Sequence, residues 1–288
     1  MRRVGSNGQY RIASMSDPTT LDPAPVRAGR PAAAGPPPGV TARGGGHDEG
    51  APDLREHGAP VRGVPQTSTR RLFVQLHVFT DCPPPDGVVD AVRRSGLDAA
   101  VYADLNDPRG LGVVLMSEDP ACFAEAGRSL LTGVCFRSLT RRPEMTMVGR
   151  TYSSGREADL EDFLLRKVPR NVLSPDHPWA VWYPLRRIGA FNQLPRAEQG
   201  RILMEHGMLG RRYGEAGYAV DVRLECHGLD RDDNEFVIGL IGPELYPLSR
   251  LVKDMRATRQ TSEFIQQMGP FFVGRALYQS PLPGSPST

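Results

Sequence analysis

A displacement of 125 residues lays one part of this sequence over another. It places Leu111 on Phe236, Val113 on Ile238, Leu115 on Leu240 and Met116 on Ile241, then Phe123 on Leu248, Ala126 on Leu251 and Leu130 on Met255. The first pairs fit a strand and the last three recur at helical spacing, so the chain contains an internal duplication. Each copy has an apolar face to hide, and two copies can hide it by packing face to face or by closing into a barrel.

Reading outward from those positions gives the full unit. Leu72 to Phe79 reads as a strand, Asp86 to Ser95 as a short helix, and Leu97 to Leu105 alternates as a second strand. Asp107, Pro108 and Gly110 form a turn into a third strand, Leu111 to Met116. A helix over Asp119 to Leu131 and a strand over Met145 to Tyr152 complete β-α-β-β-α-β, the ferredoxin-like order. The same order follows in Trp179–Leu185, Pro195–Tyr213, Tyr218–Cys226, Phe236–Ile241, Glu244–Met255 and Phe271–Leu277. The predicted fold class is α+β, a duplicated ferredoxin-like repeat forming a dimeric α+β barrel within one subunit. Its parts are a repeat over residues 69–155, a linker over 156–176 and a second repeat over 177–280.

The remaining segment, residues 1–68, differs in composition. It holds ten of the 27 prolines and eleven of the 31 glycines, and its only aromatic is Tyr10. So few large apolar groups do not offset the entropy of ordering a chain, and this tail is predicted to be disordered, with Met15 as an alternative start. The net charge of +2 argues against a nucleic-acid partner, which needs an unbalanced excess of Lys and Arg. Only two of the 35 basic residues are lysines, Lys167 and Lys253. The longest apolar run, FVIGLIG, is too short to span a bilayer, and no apolar stretch follows Arg2 and Arg3 as a signal peptide requires. Cys82, Cys122, Cys135 and Cys226 lie apart without zinc or disulfide spacing, consistent with reduced thiols in a cytoplasmic protein.

Four residues stand out for chemistry. In PRAEQGRILMEHGMLGRRYG, Pro195 suits the first turn and Gly214 a C-cap, and Ile202, His206, Leu209 and Tyr213 share the inward stripe. His206 reads either as a core histidine or as an axial ligand that binds iron through one nitrogen while an acceptor orients the other. On Tyr218–Cys226 the odd positions Asp221, Arg223, Glu225 and His227 share one face, which is either solvated or places Arg223 against an anion. In HPWAVWYPLRR, Tyr183 reads as packing or as a buried hydrogen-bond donor and redox site, and the adjacent arginines suit carboxylates such as haem propionates. GLDRDDNEF reads as an acidic hairpin without a calcium-loop register.

HPWAVWYPLRR, the L-P of Leu194 and Pro195, MEHG at Met204 to Gly207, GLDRDDNEFVIGL, MRATRQTSEF and GPFFVG at Gly269 to Gly274 together resemble the chlorite dismutase family, which includes the coproheme decarboxylases. The resemblance covers residues 70 to 278 and is densest from 177. It implies haem b or coproheme held in the C-terminal half and a ring-shaped homo-oligomer, commonly a homopentamer. It places the proximal iron ligand on His206, the radical-forming tyrosine of decarboxylases on Tyr183, a propionate contact on Arg187 and the distal position on Arg223. The tyrosine and GPFFVG are similar to the decarboxylase branch, with peroxide as oxidant. A distal arginine is similar to members that convert chlorite to chloride and dioxygen, and a non-catalytic haem carrier is a third implication. The segment between the Y-P and L-P motifs is shorter than in well-known decarboxylases, with Phe191 or a neighbour where they have tryptophan.

Overall fold

The computed structural model describes residues 51–282, so the tail expected over 1–68 lies outside it up to residue 50. The rest of that stretch is ordered. Strands β1 (Glu56–Val61) and β2 (Val64–Ser68) form an antiparallel hairpin, closed by Arg62 and Gly63 in the left-handed region at φ 52° and 81°. Its anchor is polar: Glu56 accepts from Arg150 at 3.4 Å and from the Ser153 amide at 2.9 Å. Apolar content alone therefore misjudged residues 52–68.

The first repeat comprises β3 (Phe73–Thr80), α1 (Asp86–Ser95), β4 (Asp98–Asp104), β5 (Leu111–Ser117), α2 (Ala121–Ala124), α3 (Ala126–Leu131), the short β6 (Thr140–Arg141) and β7 (Met147–Arg150). The helix expected over Asp119–Leu131 is broken at Glu125, whose φ and ψ are −110° and −90°. The expected linker is also structured. A π-helical turn, Asp162–Arg166, runs into α4 (Lys167–Val172), and Val168, Val172 and Leu173 enter the main core.

The second repeat comprises β8 (Trp179–Arg187), α5 (Ala190–Gln193), α6 (Arg196–Glu215), β9 (Val220–Glu225), β10 (Phe236–Gly242), α7 (Leu245–Arg256), α8 (Arg259–Phe264), β11 (Ile265–Met268) and β12 (Phe272–Gln279). Helix α6 continues through Gly214 to Glu215, and the left-handed position falls on Gly217 at φ 70°.

Within the repeats the strands run β7-β3-β5-β4 and β12-β8-β10-β9, the same order twice. The halves join where β4 pairs with β12 and where Arg150 of β7 pairs with Glu225 of β9. Among the described residues these eight strands close into a ring, the dimeric α+β barrel expected from the duplication. Alternation along each strand sends one face inward: Val74, Leu76, Tyr102, Val114, Met147, Trp182, Val222, Leu224, Val237 and Phe272 fill the barrel. The other face of each repeat meets its helices, as Val88 and Val92 do on Val101 and Val113, and Leu248 and Leu251 on Val181 and Leu240.

Candidate functional site

The outer face of the second repeat is laid out by strand register. Ile238 pairs with Tyr183 on one side and Arg223 on the other, and Leu240 pairs with Val181 and Asp221. Paired residues of antiparallel strands share a face, so Tyr183, Ile238 and Arg223 form one row across it and Val181, Leu240 and Asp221 the next.

Helix α6 carries His206 toward this face. Ile202 is buried, and Leu209 and Tyr213 pack on the layer beneath, so the predicted stripe is the inward one. The His206 imidazole is half-buried, and its Nδ1 lies 3.1 Å from the Thr258 hydroxyl. Thr258 is buried just beyond α7 and donates its own proton to the Met255 carbonyl at 2.7 Å. Toward the imidazole it therefore accepts, which places the ring proton on Nδ1 and leaves Nε2 with a free lone pair. Burial, followed by the charge of Arg223, holds the His206 pKa below its ordinary value, keeping the ring neutral.

Tyr183 is 5% exposed and stacks on Phe271 with ring centroids 4.6 Å apart. Phe271 belongs to GPFFVG, and the Gly269 amide donates to the Pro184 carbonyl at 2.9 Å, so the Y-P and GPFFVG motifs form one local structure. Burial, with Asp221 adding to it, pushes the Tyr183 hydroxyl above the usual phenol range. It stays protonated throughout the physiological range.

The two arginines expected to meet a propionate and an anion each have a carboxylate partner within the chain. The Arg187 amide and Nε both donate to Glu235 Oε2, at 3.0 and 2.9 Å, and its guanidinium lies over Phe191 and Phe236 at 4.4 and 4.8 Å. Glu235 ends the acidic hairpin, whose Asp232 carbonyl is also bonded by Arg186. The hairpin is thus a clamp on the end of β8. Arg223 Nε lies 2.8 Å from Asp221 Oδ2. Asp221 and Arg223 leave the same face two residues apart, so the pair forms along one strand. Tyr152, at the end of the first repeat, packs its ring 5.9 Å from Phe236, and its hydroxyl is raised by burial and influenced by Arg223 and Glu225.

Register thus places Tyr183, Arg223 and Asp221 on one face, over which α6 carries His206. Arg187 stands one strand end away. Thr258, Asp221, Glu235 and Tyr152 were not singled out as site residues by sequence. Two open clefts flank the arrangement, of about 340 Å³ beside Thr258 and Glu205 and about 470 Å³ beside Val181 and Phe271. Neither is lined by His206, Tyr183 or Arg223.

The donor set limits which metal suits this face. Among the described residues no group of three or more His, Cys, Asp or Glu side chains is placed to hold a bare ion. One imidazole with an anchored Nδ1 and an open Nε2 instead suits a metal that brings its other ligands in a macrocycle. No helix among the described residues is long and apolar enough to cross a membrane.

The sequence profile of the chlorite dismutase family matches residues 107–277, more than half of the chain. The chain belongs to the chlorite dismutase family. Within that family it is 33% identical over 93 residues to a coproheme decarboxylase of Mycolicibacterium smegmatis, covering 32% of this chain and 37% of that one. It is 30% identical over 129 residues to a coproheme decarboxylase of Oceanobacillus iheyensis, covering 42% and 50%. The chain thus spans half or less of the length of these relatives. Among solved structures, a heme-binding protein from Thermus thermophilus matches with a TM-score of 0.57 at 20% identity, over 72% of this chain and 92% of that one. Chlorite dismutase from Candidatus Nitrospira defluvii in complex with imidazole matches with a TM-score of 0.56 at 16% identity, over 75% and 93%. At these identities the structural matches establish the chlorite dismutase fold.

Proposed function

We propose that this member of the family is a haem-binding oxidoreductase of the coproheme decarboxylase type, with hydrogen peroxide as its oxidant. The observation that carries the reading is Tyr183, a buried, protonated phenol in one row with Arg223 on the face toward which His206 is turned. Its ring is held by stacking on Phe271, which fixes the phenol on that face. When bound, the iron of the haem supplies oxidising equivalents. His206 Nε2 would hold the metal, with Thr258 fixing the ring. Tyr183 would donate a hydrogen atom, proton and electron together, and regain one from a coproheme propionate.

Overall, each propionate loses carbon dioxide and two electrons to become a vinyl group, while each peroxide takes up those electrons to give two waters. Arg187 uses Nε on Glu235, which leaves its Nη donors for a propionate. A homo-oligomer, with the ring-shaped pentamer as its simplest form, is part of the same proposal and is read by light scattering.

The purified chain reconstituted with coproheme, given peroxide and followed by mass spectrometry, is expected to lose propionate carboxyls. Tyr183→Phe is expected to stop that loss while retaining the Soret band; loss that persists in the variant defeats the tyrosine role. A second reading, decomposition of chlorite with retention by a distal cation, is favoured by the place of Arg223 in the row with Tyr183. Dioxygen release from chlorite that falls in Arg223→Gln would support it.

A further inference from the structure

The distal row is decided by two charges. Asp221 and Arg223 project from the same face of β9, about 6.7 Å apart along the strand, and meet with Nε 2.8 Å from Oδ2. The next cation, Lys167, holds its Nζ 3.9 Å from Asp221 Oδ1 and lies over the Phe163 ring. Asp221 therefore has one close partner and one remote one. A lone arginine would present a full positive charge to any anion approaching the face. A carboxylate in contact with that guanidinium repels the same anion from nearly the same distance, and the two fields largely cancel. A neutral oxidant has no net charge for either field to act on, and it can donate a hydrogen bond to the carboxylate.

We propose that Asp221, by holding Arg223 in an ion pair, sets the oxidant preference of this site, admitting neutral hydrogen peroxide and disfavouring anions such as chlorite. Asp221 is here a specificity-determining residue. The inference rests on the haem-binding reading above, because it concerns what approaches the metal beside Arg223.

The test uses the full chain reconstituted with ferric haem and two ligands titrated by the Soret band, azide as an anion and imidazole as a neutral base. Asp221→Asn is isosteric and frees Arg223. It is expected to tighten azide a few-fold, since a negative charge beside the approaching anion is removed at a partly solvated site, and to leave imidazole unchanged. Adding Arg223→Gln to Asp221→Asn is expected to cancel the gain. Unaltered azide affinity in Asp221→Asn would overturn the proposal, as would a gain that survives in the double variant. Absence of any His206-dependent Soret band would instead overturn the haem-binding reading. The two failures are therefore distinguishable.

Discussion

Thr258→Val replaces a hydroxyl by a methyl of nearly the same volume at a site that is 5% exposed, so its effect isolates one oxygen atom. Three polar contacts go with it, to His206 Nδ1 at 3.1 Å, to the Met255 carbonyl at 2.7 Å and to the Thr261 hydroxyl at 3.3 Å. The Met255 carbonyl keeps a partner, because the Thr258 amide also donates to it at 3.0 Å. The stranded group is Nδ1–H of a half-buried imidazole. A net loss of about 1–2 kcal/mol follows for the protein without haem, which lowers Tm by about 2–4 °C for each kcal/mol in a domain of this size. Haem affinity is expected to fall further, by about 10- to 100-fold, because the ring loses the acceptor that fixes its tautomer and direction. Thr258→Ser should restore both. The assay is haem titration by absorbance, with the iron–imidazole stretching frequency read by resonance Raman. If valine left that frequency and the affinity unchanged, or if serine behaved like valine, the orienting role of Thr258 would be refuted.

Other sites give predictions of definite sign. A Cβ on Gly239 would lie 2.6 Å from the Trp182 ring, its partner across β8 and β10, so Gly239→Ala should cost about 1–3 kcal/mol in denaturant unfolding. Gly200 on α6 has nothing within 4 Å of its added Cβ, and Gly200→Ala should stabilise by about 0.5–1 kcal/mol. His77 is buried and takes a hydrogen bond at Nδ1 from Arg141 at 2.7 Å; burial lowers its pKa from 6.5 to about 4. Because the folded pKa is below the unfolded one, stability is complete above pH 6.5 and falls as the unfolded chain takes up the proton. The loss approaches about 3 kcal/mol by pH 4. His77→Gln should remove that component from the pH dependence of unfolding.

Much of the fold was legible because alternation and helical spacing are local properties that the barrel preserves. The displacement of 125 residues maps β5 onto β10 position for position. His206 was placed on the inward stripe of α6 by spacing alone, and Tyr183 on an apolar strand by its neighbours. Other features depended on contacts between residues far apart in sequence. Glu235 satisfies Arg187 across 48 residues and Thr258 orients His206 across 52, and neither acceptor has a spacing that announces its partner. The hairpin at residues 56–68 is fastened through the carboxylate of Glu56, so counting large apolar side chains missed it. The segment over 156–176 reads as polar, yet Val168, Val172 and Leu173 close one part of the core. Asp221 and Arg223 were legible as neighbours on one face. Their direct pairing required the side-chain geometry.

The proposed function stands on His206 Nε2 as the protein's ligand to a bound haem. The decisive measurement is titration of ferric haem b and coproheme into the purified protein and into His206→Ala, with the Soret band as readout. A saturable, shifted band is expected in the native chain, lost in His206→Ala and recovered on adding imidazole. An identical band and affinity in His206→Ala would contradict it.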